Sequence, residues 1–392
     1  MSAAKTEVLA MLAAGESQRE VSRRTGLHRR TIGRWAEEMP KPNKPADELH
    51  ALRREVKQLR AESADLSAIK RCIGTVRASI ADQPAWLTKH IARPKQYWGV
   101  PTLFLSDLHF GEVVYPAQVN GRNEYNTPIA VRRLRNVVDN AHKILQTTLS
   151  GGSFGGAVVI LGGDMVDGVI HDELRDTSDE TVMQSVVTVH DQLLPALKQF
   201  ADEYGRVHVP CVAGNHGRLD RKPRMKNGPQ LNFDWLLYQF LAKSIGDSKY
   251  RDRVTLQIPD GFDCGYRVHG VRYLLTHGDS FKGGSGITGP LLPWMRGEAR
   301  TRQQYDALGL PYDVLCMGHW HQLRYLDSII VNGCLPGFNE YALKNRFAFE
   351  RPQQALWLTH PKHGRWLESK AFAEDSEAPE GAETWCEVRA AA

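Results

Sequence analysis

Residues 103–112, LFLSDLHFGE, run apolar side chains straight into an aspartate and, two positions on, a histidine. A short apolar run that stops at a polar loop reads as a buried strand presenting side chains at its end. If the D-x-H stays extended, period-two alternation sends Asp107 and His109 to the same side. The arrangement returns four times: VVILGGDMVDG (158–168) with Asp164 and Asp167, CVAGNHGR (211–218) with Asn215 and His216, YLLTHGDS (273–280) with His277, and VLCMGHWHQ (314–322) with His319 and His321.

Each motif alone is weak. A lone histidine after a strand is commonly a hydrogen-bonded structural residue, and a lone G-N-H is a turn. Five in a fixed order, each at the end of an apolar strand, point to one site. Carboxylate and imidazole suit Mn, Fe or Zn rather than soft thiophilic ions. A carboxylate such as Asp164 has two oxygens and can bridge two metals. Two cations roughly 3.5–4 Å apart clamp a phosphate, activate a water and stabilise the leaving oxygen.

The ordered set D-x-H, G-D-x-x-D, G-N-H, H-G and G-H-x-H resembles the calcineurin-like metallophosphoesterase superfamily over residues 100–335. The resemblance implies a four-layer α/β/β/α sandwich and a dinuclear centre. It implies that Asp107, His109, Asp164 and His321 hold one metal, and that Asp164 bridges to a second held with Asn215, His277 and His319. His216 would assist the leaving group, and Asp167 would orient a ligand. Mn is the common metal of the family, with Fe, Zn or Ni as variants. Two departures stand out. Many relatives have an acid directly after the G-N-H histidine; here Gly217 and Arg218 follow, so either Asp220, Asp167 or another acid orients His216, or His216 is tuned differently. The family's phosphoprotein phosphatases place an Arg after G-D-x-V-D; here Gly168 and Val169 follow, which argues against that activity.

Outside these motifs, the 392-residue chain is 42% hydrophobic and 24% charged, with a net charge of +5. That is ordinary for a soluble protein of two or three domains and compatible with a nucleic-acid partner. Six scattered cysteines without a C-x-x-C pair read as free thiols in a reducing compartment. No secretory leader or membrane-length apolar run is visible, so a cytoplasmic location is expected, with no membrane contact. The strands and helices alternate from residue 98 to 372, giving an α/β domain. Residues 40–97 read as a linker. It opens with the Pro-rich PKPNKP and continues in a helix whose Leu49, Leu52, Val56, Leu59 and Leu66 keep heptad spacing. This helix, 46–75, is either a homodimerisation stalk or packed on its own domain. Residues 373–392 read as an acidic tail.

Residues 17–36, SQREVSRRTGLHRRTIGRWA, have the spacing of a helix-turn-helix within a module of residues 1–39. Gly26 falls at the turn, where positive φ suits glycine. Leu27, Ile32 and Trp35 would fill a small core. His28, Arg29, Arg30, Thr31 and Arg34 would lie on the second helix, facing DNA. The segment resembles the helix-turn-helix of transposases and resolvases. The Arg-rich stretch 218–226 beside His216 reads as a phosphate-backbone track. The sequence therefore points to a metal-dependent DNA nuclease. The alternatives are a phosphatase or cyclic-nucleotide phosphodiesterase with a regulatory helix-turn-helix, or a DNA-binding regulator with a degenerate esterase domain.

Overall fold

Where an apolar strand is followed by an amphipathic helix and another strand, the chain must cross over, and the two strands run parallel. The sequence does this three times. The computed structural model, which describes residues 3–37, 82–88, 97–149, 152–168, 170, 176–282 and 289–374, contains the result. The chain divides into two compact units, Met1–Ala68 and Ile69–Ala392. The heptad helix expected over 46–75 lies outside the described residues, as do the Pro-rich linker and nearly all of the acidic tail.

In the first unit, α1 (Ala3–Ala13), α2 (Gln18–Thr25) and α3 (Arg29–Glu37) surround a core of Val8, Val21 and Ile32, with Leu27 and Trp35 packed against it. Ser17 caps α2 by accepting the Glu20 N–H. Gly26 ends the helix at φ 70, in the left-handed region that glycine enters without strain.

In the second unit, β1 (Tyr97–Leu105), β2 (Ser153–Phe154), β3 (Ala157–Leu161), β4 (Val207–Pro210) and β5 (Val254–Gln257) alternate with α4 (Thr127–Lys143), α5 (Val182–Tyr204) and α6 (Phe233–Gly246). Next come β6 (Cys264–Val268), β7 (Val271–Thr276), α7 (Leu291–Ala307), β8 (Val314–Met317), β9 (Arg324–Tyr325) and β10 (Ile329–Val331). A short α8 (Glu340–Lys344) precedes the hairpin β11 (Gln353–His360) and β12 (Gly364–Phe372). One sheet has the order β12-β11-β1-β3-β4-β5, with β2 beside β1; the other has the order β6-β7-β8-β10-β9. Strands β1, β3, β4 and β5 are mutually parallel, as are β7, β8 and β10.

Side-chain alternation distributes the core. In β3, Ala157, Val159 and Leu161 join the cluster beneath α4, α5 and α6, while Val158 and Ile160 join one shared with Tyr273, Leu275, Cys316 and Ile330 of the other sheet. In β8, Val314 and Cys316 belong to this second cluster; Leu315 and Met317 belong to a third with Trp294 of α7. Strands buried on both faces read as unbroken apolar runs, which is why LFL and AVVIL carry no polar alternation.

Read locally, Thr127 suits the N-cap of a helix starting at Pro128, and the apolar runs 266–276 and 323–331 each suit one strand; the structure differs at these three points and adds a helix. Asn126, not Thr127, caps α4, its side chain accepting the Ile129 N–H; Thr127 instead donates to Asp179. The run 266–276 is a hairpin turning at His269-Gly270 rather than one strand. The run 323–331 is likewise two antiparallel strands. Helix α7 was not anticipated, because Pro293 and Gly297 interrupt its pattern. Among the described residues no helix is long and apolar enough to cross a membrane.

Candidate metal centre

All five motifs sit just past the carboxyl ends of parallel strands, after β1, β3, β4, β7 and β8. Backbone bonds stitch the loops together. Asp107 N–H donates to Gly163 O (2.9 Å), His109 N–H to Asp164 O (3.0 Å), and Gly318 N–H to His277 O (3.0 Å). Residues far apart in the chain are thereby fixed within one small volume.

Three donor groups result among the described residues. Asp107, His109 and His321 form the first, Asp164, His277 and His319 the second, and His109, Asp167 and His216 a third that shares His109; within each, the donor atoms lie within 4.8 Å of one another. In the first, His109 Nε2 is 3.1 Å from His321 Nε2, and His321 Nε2 is 3.4 Å from Asp107 Oδ1. In the second, His277 Nε2 is 3.0 Å from Asp164 Oδ2 and 3.2 Å from Asn215 Oδ1. The other ring nitrogens are committed. His277 Nδ1 donates to Gly162 O (2.9 Å), and His109 Nδ1 donates to Asp167 Oδ1 (3.2 Å). Both rings therefore present Nε2 to the centre, the arrangement by which an outer partner fixes a ligating histidine.

The backbone is bent to achieve this. Asp107, His109, Asp164, His319 and His321 all have positive φ, between 46 and 65, and make up half of the ten such non-glycine residues among those described. Each costs on the order of 1 kcal/mol or more, a cost that persists where surrounding structure enforces it, characteristically at functional sites. The D-x-H and H-x-H segments are thus single-residue left-handed bends, not the extended pieces the period-two reading supposed. Two motif glycines have a steric reason. A Cβ at Gly214 would lie 2.1 Å from Asp164 Oδ1, and one at Gly318 would lie 2.3 Å from Asp107 Oδ2.

The donor set fits two divalent cations. Asp164 Oδ2 meets the His277 ring at 3.0 Å, whereas Asp167 keeps a buried Oδ2 without a hydrogen-bond partner. A buried carboxylate oxygen left so is costly unless something positive meets it.

His216 lies beside this set, its ring 4.5 Å from that of His109. Its Nδ1 contacts both Asp167 O (3.0 Å) and Asp167 Oδ1 (3.1 Å). Asp167 is therefore the acid that orients His216; Asp220 is paired with Arg224 instead (2.6 Å). Burial opposes charge on His216, but the Asp164 and Asp167 carboxylates outweigh it and push its pKa up to about 9. The same contest takes His277 up to about 10, again against burial and through Asp164. His319 goes down to about 4, by burial and then by the charge on His277.

Sequence reading missed Asp234. This fully buried residue in the first turn of α6 accepts the N–H groups of Asp164 (2.8 Å), Met165 (3.1 Å) and Gly214 (2.9 Å), tying the second motif to the third. Asn232 adds a bond to Gly214 O (2.7 Å). Nothing in FDWLLYQF marks the aspartate, except that an acid inside a buried apolar helix needs a partner.

The residues proposed to meet DNA belong to the first unit. Arg29, Arg30 and Arg34 are exposed on α3, and Thr31 is half-buried. His28 precedes the helix rather than lying on it; its Nδ1 accepts the Arg30 N–H. Of the six cysteines, Cys211, Cys264, Cys316 and Cys334 are described, and all four are buried free thiols.

No family model and no curated protein matches the chain. Among solved structures it is similar to a single mutant of Vps29 from Entamoeba histolytica, with 12% identity over 66% of this chain and 85% of that one and a TM-score of 0.28. It is also similar to vacuolar protein sorting 29 from Cryptosporidium parvum, with 14% identity, 70% and 98% coverage and a TM-score of 0.28. A chain from Staphylococcus aureus assigned as a 5'-nucleotidase shares 11% identity over 71% of this chain and 55% of its own, with a TM-score of 0.31.

Proposed function

We propose that the second unit is a two-metal phosphoesterase of the calcineurin-like kind, acting on DNA as a nuclease. The observation that carries this reading is the convergence of carboxylate–imidazole groups past the strand ends, each within 4.8 Å, with the buried Asp167 Oδ2 left without a hydrogen bond beside them. Stacking of helices, sheet, sheet and helix through three successive cores supports the four-layer sandwich.

Asp107, His109 and His321 would hold one cation, and Asn215, His277 and His319 the other, with Asp164 shared. Bound divalent ions, Mn being the first choice, supply Lewis acidity toward phosphate oxygens and lower the pKa of water. The chain does the rest. Asp234 and the stitched backbone fix the carboxylates in place. Asp167 holds His216 through Nδ1, so Nε2 is the nitrogen that would meet the substrate. With Asp167 accepting from Nδ1 and supporting positive charge on the ring, a protonated His216 can give its Nε2 proton to the leaving oxygen.

The first unit would be a helix-turn-helix that brings the enzyme to DNA. The exposed Arg29, Arg30 and Arg34 beside Thr31 and His28 support that role. A cytoplasmic homodimer through residues 46–75 would place two such modules on one duplex. The test is incubation of purified protein with Mn, a chromogenic phosphodiester, a phosphomonoester and labelled single- and double-stranded DNA. Hydrolysis of both the diester and DNA is expected. Cleavage of a phosphomonoester alone would overturn the nuclease reading.

A further inference from the structure

Between Gly217 and Phe233 the chain makes an excursion that begins one residue after His216. Its base is a two-stranded closure: Arg218 bridges Asn232, Leu219 N–H donates to Leu231 O (3.1 Å), and Phe233 N–H donates to Gly217 O (2.8 Å). That base is bolted to the metal loops, because Asn232 bonds Gly214 O and Asp234 bonds Gly214 N. The excursion beyond it has the opposite character. Residues 218–231 carry Arg218, Arg221, Lys222, Arg224 and Lys226 against the single acid Asp220, and the stretch 221–227 is exposed.

Under the excursion lies a cavity, open to solvent, whose lining runs from Gly214 to Arg224. Its walls are of two kinds. Arg218, Lys222 and Arg224 line it with cations. Arg224 is taken by Asp220, whereas the Nε of Arg218 is buried without an acceptor. Leu231, Pro229 and Phe262 line it with apolar surface, and Phe262 remains 47% exposed although its ring lies against Gly228. Asp279, also in the lining, is close enough to help charge His277, so it belongs to the metal side of the cavity.

A large exposed aromatic ring and cationic side chains lining one open cavity, beside the candidate metal centre, suit a nucleotide, with a base to stack and a phosphate to neutralise. We infer that this cavity is a subsite for the nucleotide adjoining the scissile phosphate, so that the substrate is a nucleic-acid strand rather than an isolated phosphate ester. The inference rests on the phosphoesterase reading and names its substrate class. Base stacking is sequence-tolerant, so the subsite grips the strand without selecting a sequence.

The test uses the full chain with Mn, on oligothymidylate and on methyl p-nitrophenyl phosphate, which has no nucleoside. In Phe262→Ala, kcat/KM on the oligonucleotide falls about tenfold or more relative to the small diester, as expected for one lost stacking partner. In Lys222→Ala, the relative fall persists, and the salt dependence on the single strand becomes shallower by about 0.7 in log–log slope. Equal loss on both substrates, or no loss on either, overturns the subsite. A wild-type protein that hydrolyses the small diester but not the oligonucleotide also overturns it, while leaving the phosphoesterase reading intact. Inactivity toward both removes the phosphoesterase reading and this inference together.

Discussion

The metal centre and the 217–233 excursion are neighbours built on opposite terms. The centre is buried and rich in carboxylate and imidazole. Five of its ligand-bearing residues are held in left-handed backbone, and its loops are tied by Asp234. The excursion is exposed over 221–227 and rich in cations, closed at its base and tied by Gln230 to Asp260. The contrast separates chemistry from recognition. A change in the first region should cost turnover on every phosphoester, whereas a change in the second should cost only those substrates long enough to reach it.

The largest expected effect is at Asp164. Asp164→Asn should lower kcat/KM on small diesters and DNA alike by at least about 1,000-fold, since even outer partners of metal ligands are worth 10–100-fold. Circular dichroism should show the fold retained. A loss confined to DNA would erase the division between the two regions. His216→Gln should cost about 100-fold with a poor alkoxide leaving group and clearly less with p-nitrophenolate, which needs no proton; steady-state rates across a leaving-group series read this directly. Asp234→Asn should weaken metal binding by about 10–100-fold, because the carboxylate that collects three backbone N–H groups is lost; metal titration of activity measures it. This would mark Asp234 as a positioning residue on the chemistry side.

Protons and cations compete at the second donor group. His277 is held up to about 10, so at neutral pH a cation must displace its proton. Affinity there should rise as pH rises, about tenfold per unit below that value, and the Mn concentration for half-maximal activity should fall accordingly. The smallest effect on turnover belongs to the first unit. Replacing Arg29, Arg30 and Arg34 together by Ala should weaken DNA binding by about tenfold beyond any change on a small diester, with a shallower salt dependence.

The sequence revealed the ligand types and their order because each motif is local: an apolar strand, a glycine and two polar residues. What it concealed was non-local or conformational. The left-handed bends at Asp107, His109 and His319 are enforced by neighbouring loops rather than by these residue types, so period-two reasoning gave convergence for the wrong local geometry. Asp234 lies 70 residues from the Asp164 it serves and looks like a surface acid lost in an apolar helix. The choice of Asp167 over Asp220 for His216 depended on Arg224 having claimed Asp220. The excursion's charge was plain in the sequence, but its pairing with Phe262 arises only when the chain returns after β5. The hairpin split at His269-Gly270 was hidden by apolar residues on either side of it.

The central claim is that two cations sit together over the strand ends. Chelator-treated protein should be reconstituted with Mn and followed by electron paramagnetic resonance alongside hydrolysis of methyl p-nitrophenyl phosphate. An exchange-coupled dinuclear signal that grows in step with activity and saturates at two equivalents is expected. Only isolated mononuclear Mn, or full activity without added metal, would contradict it.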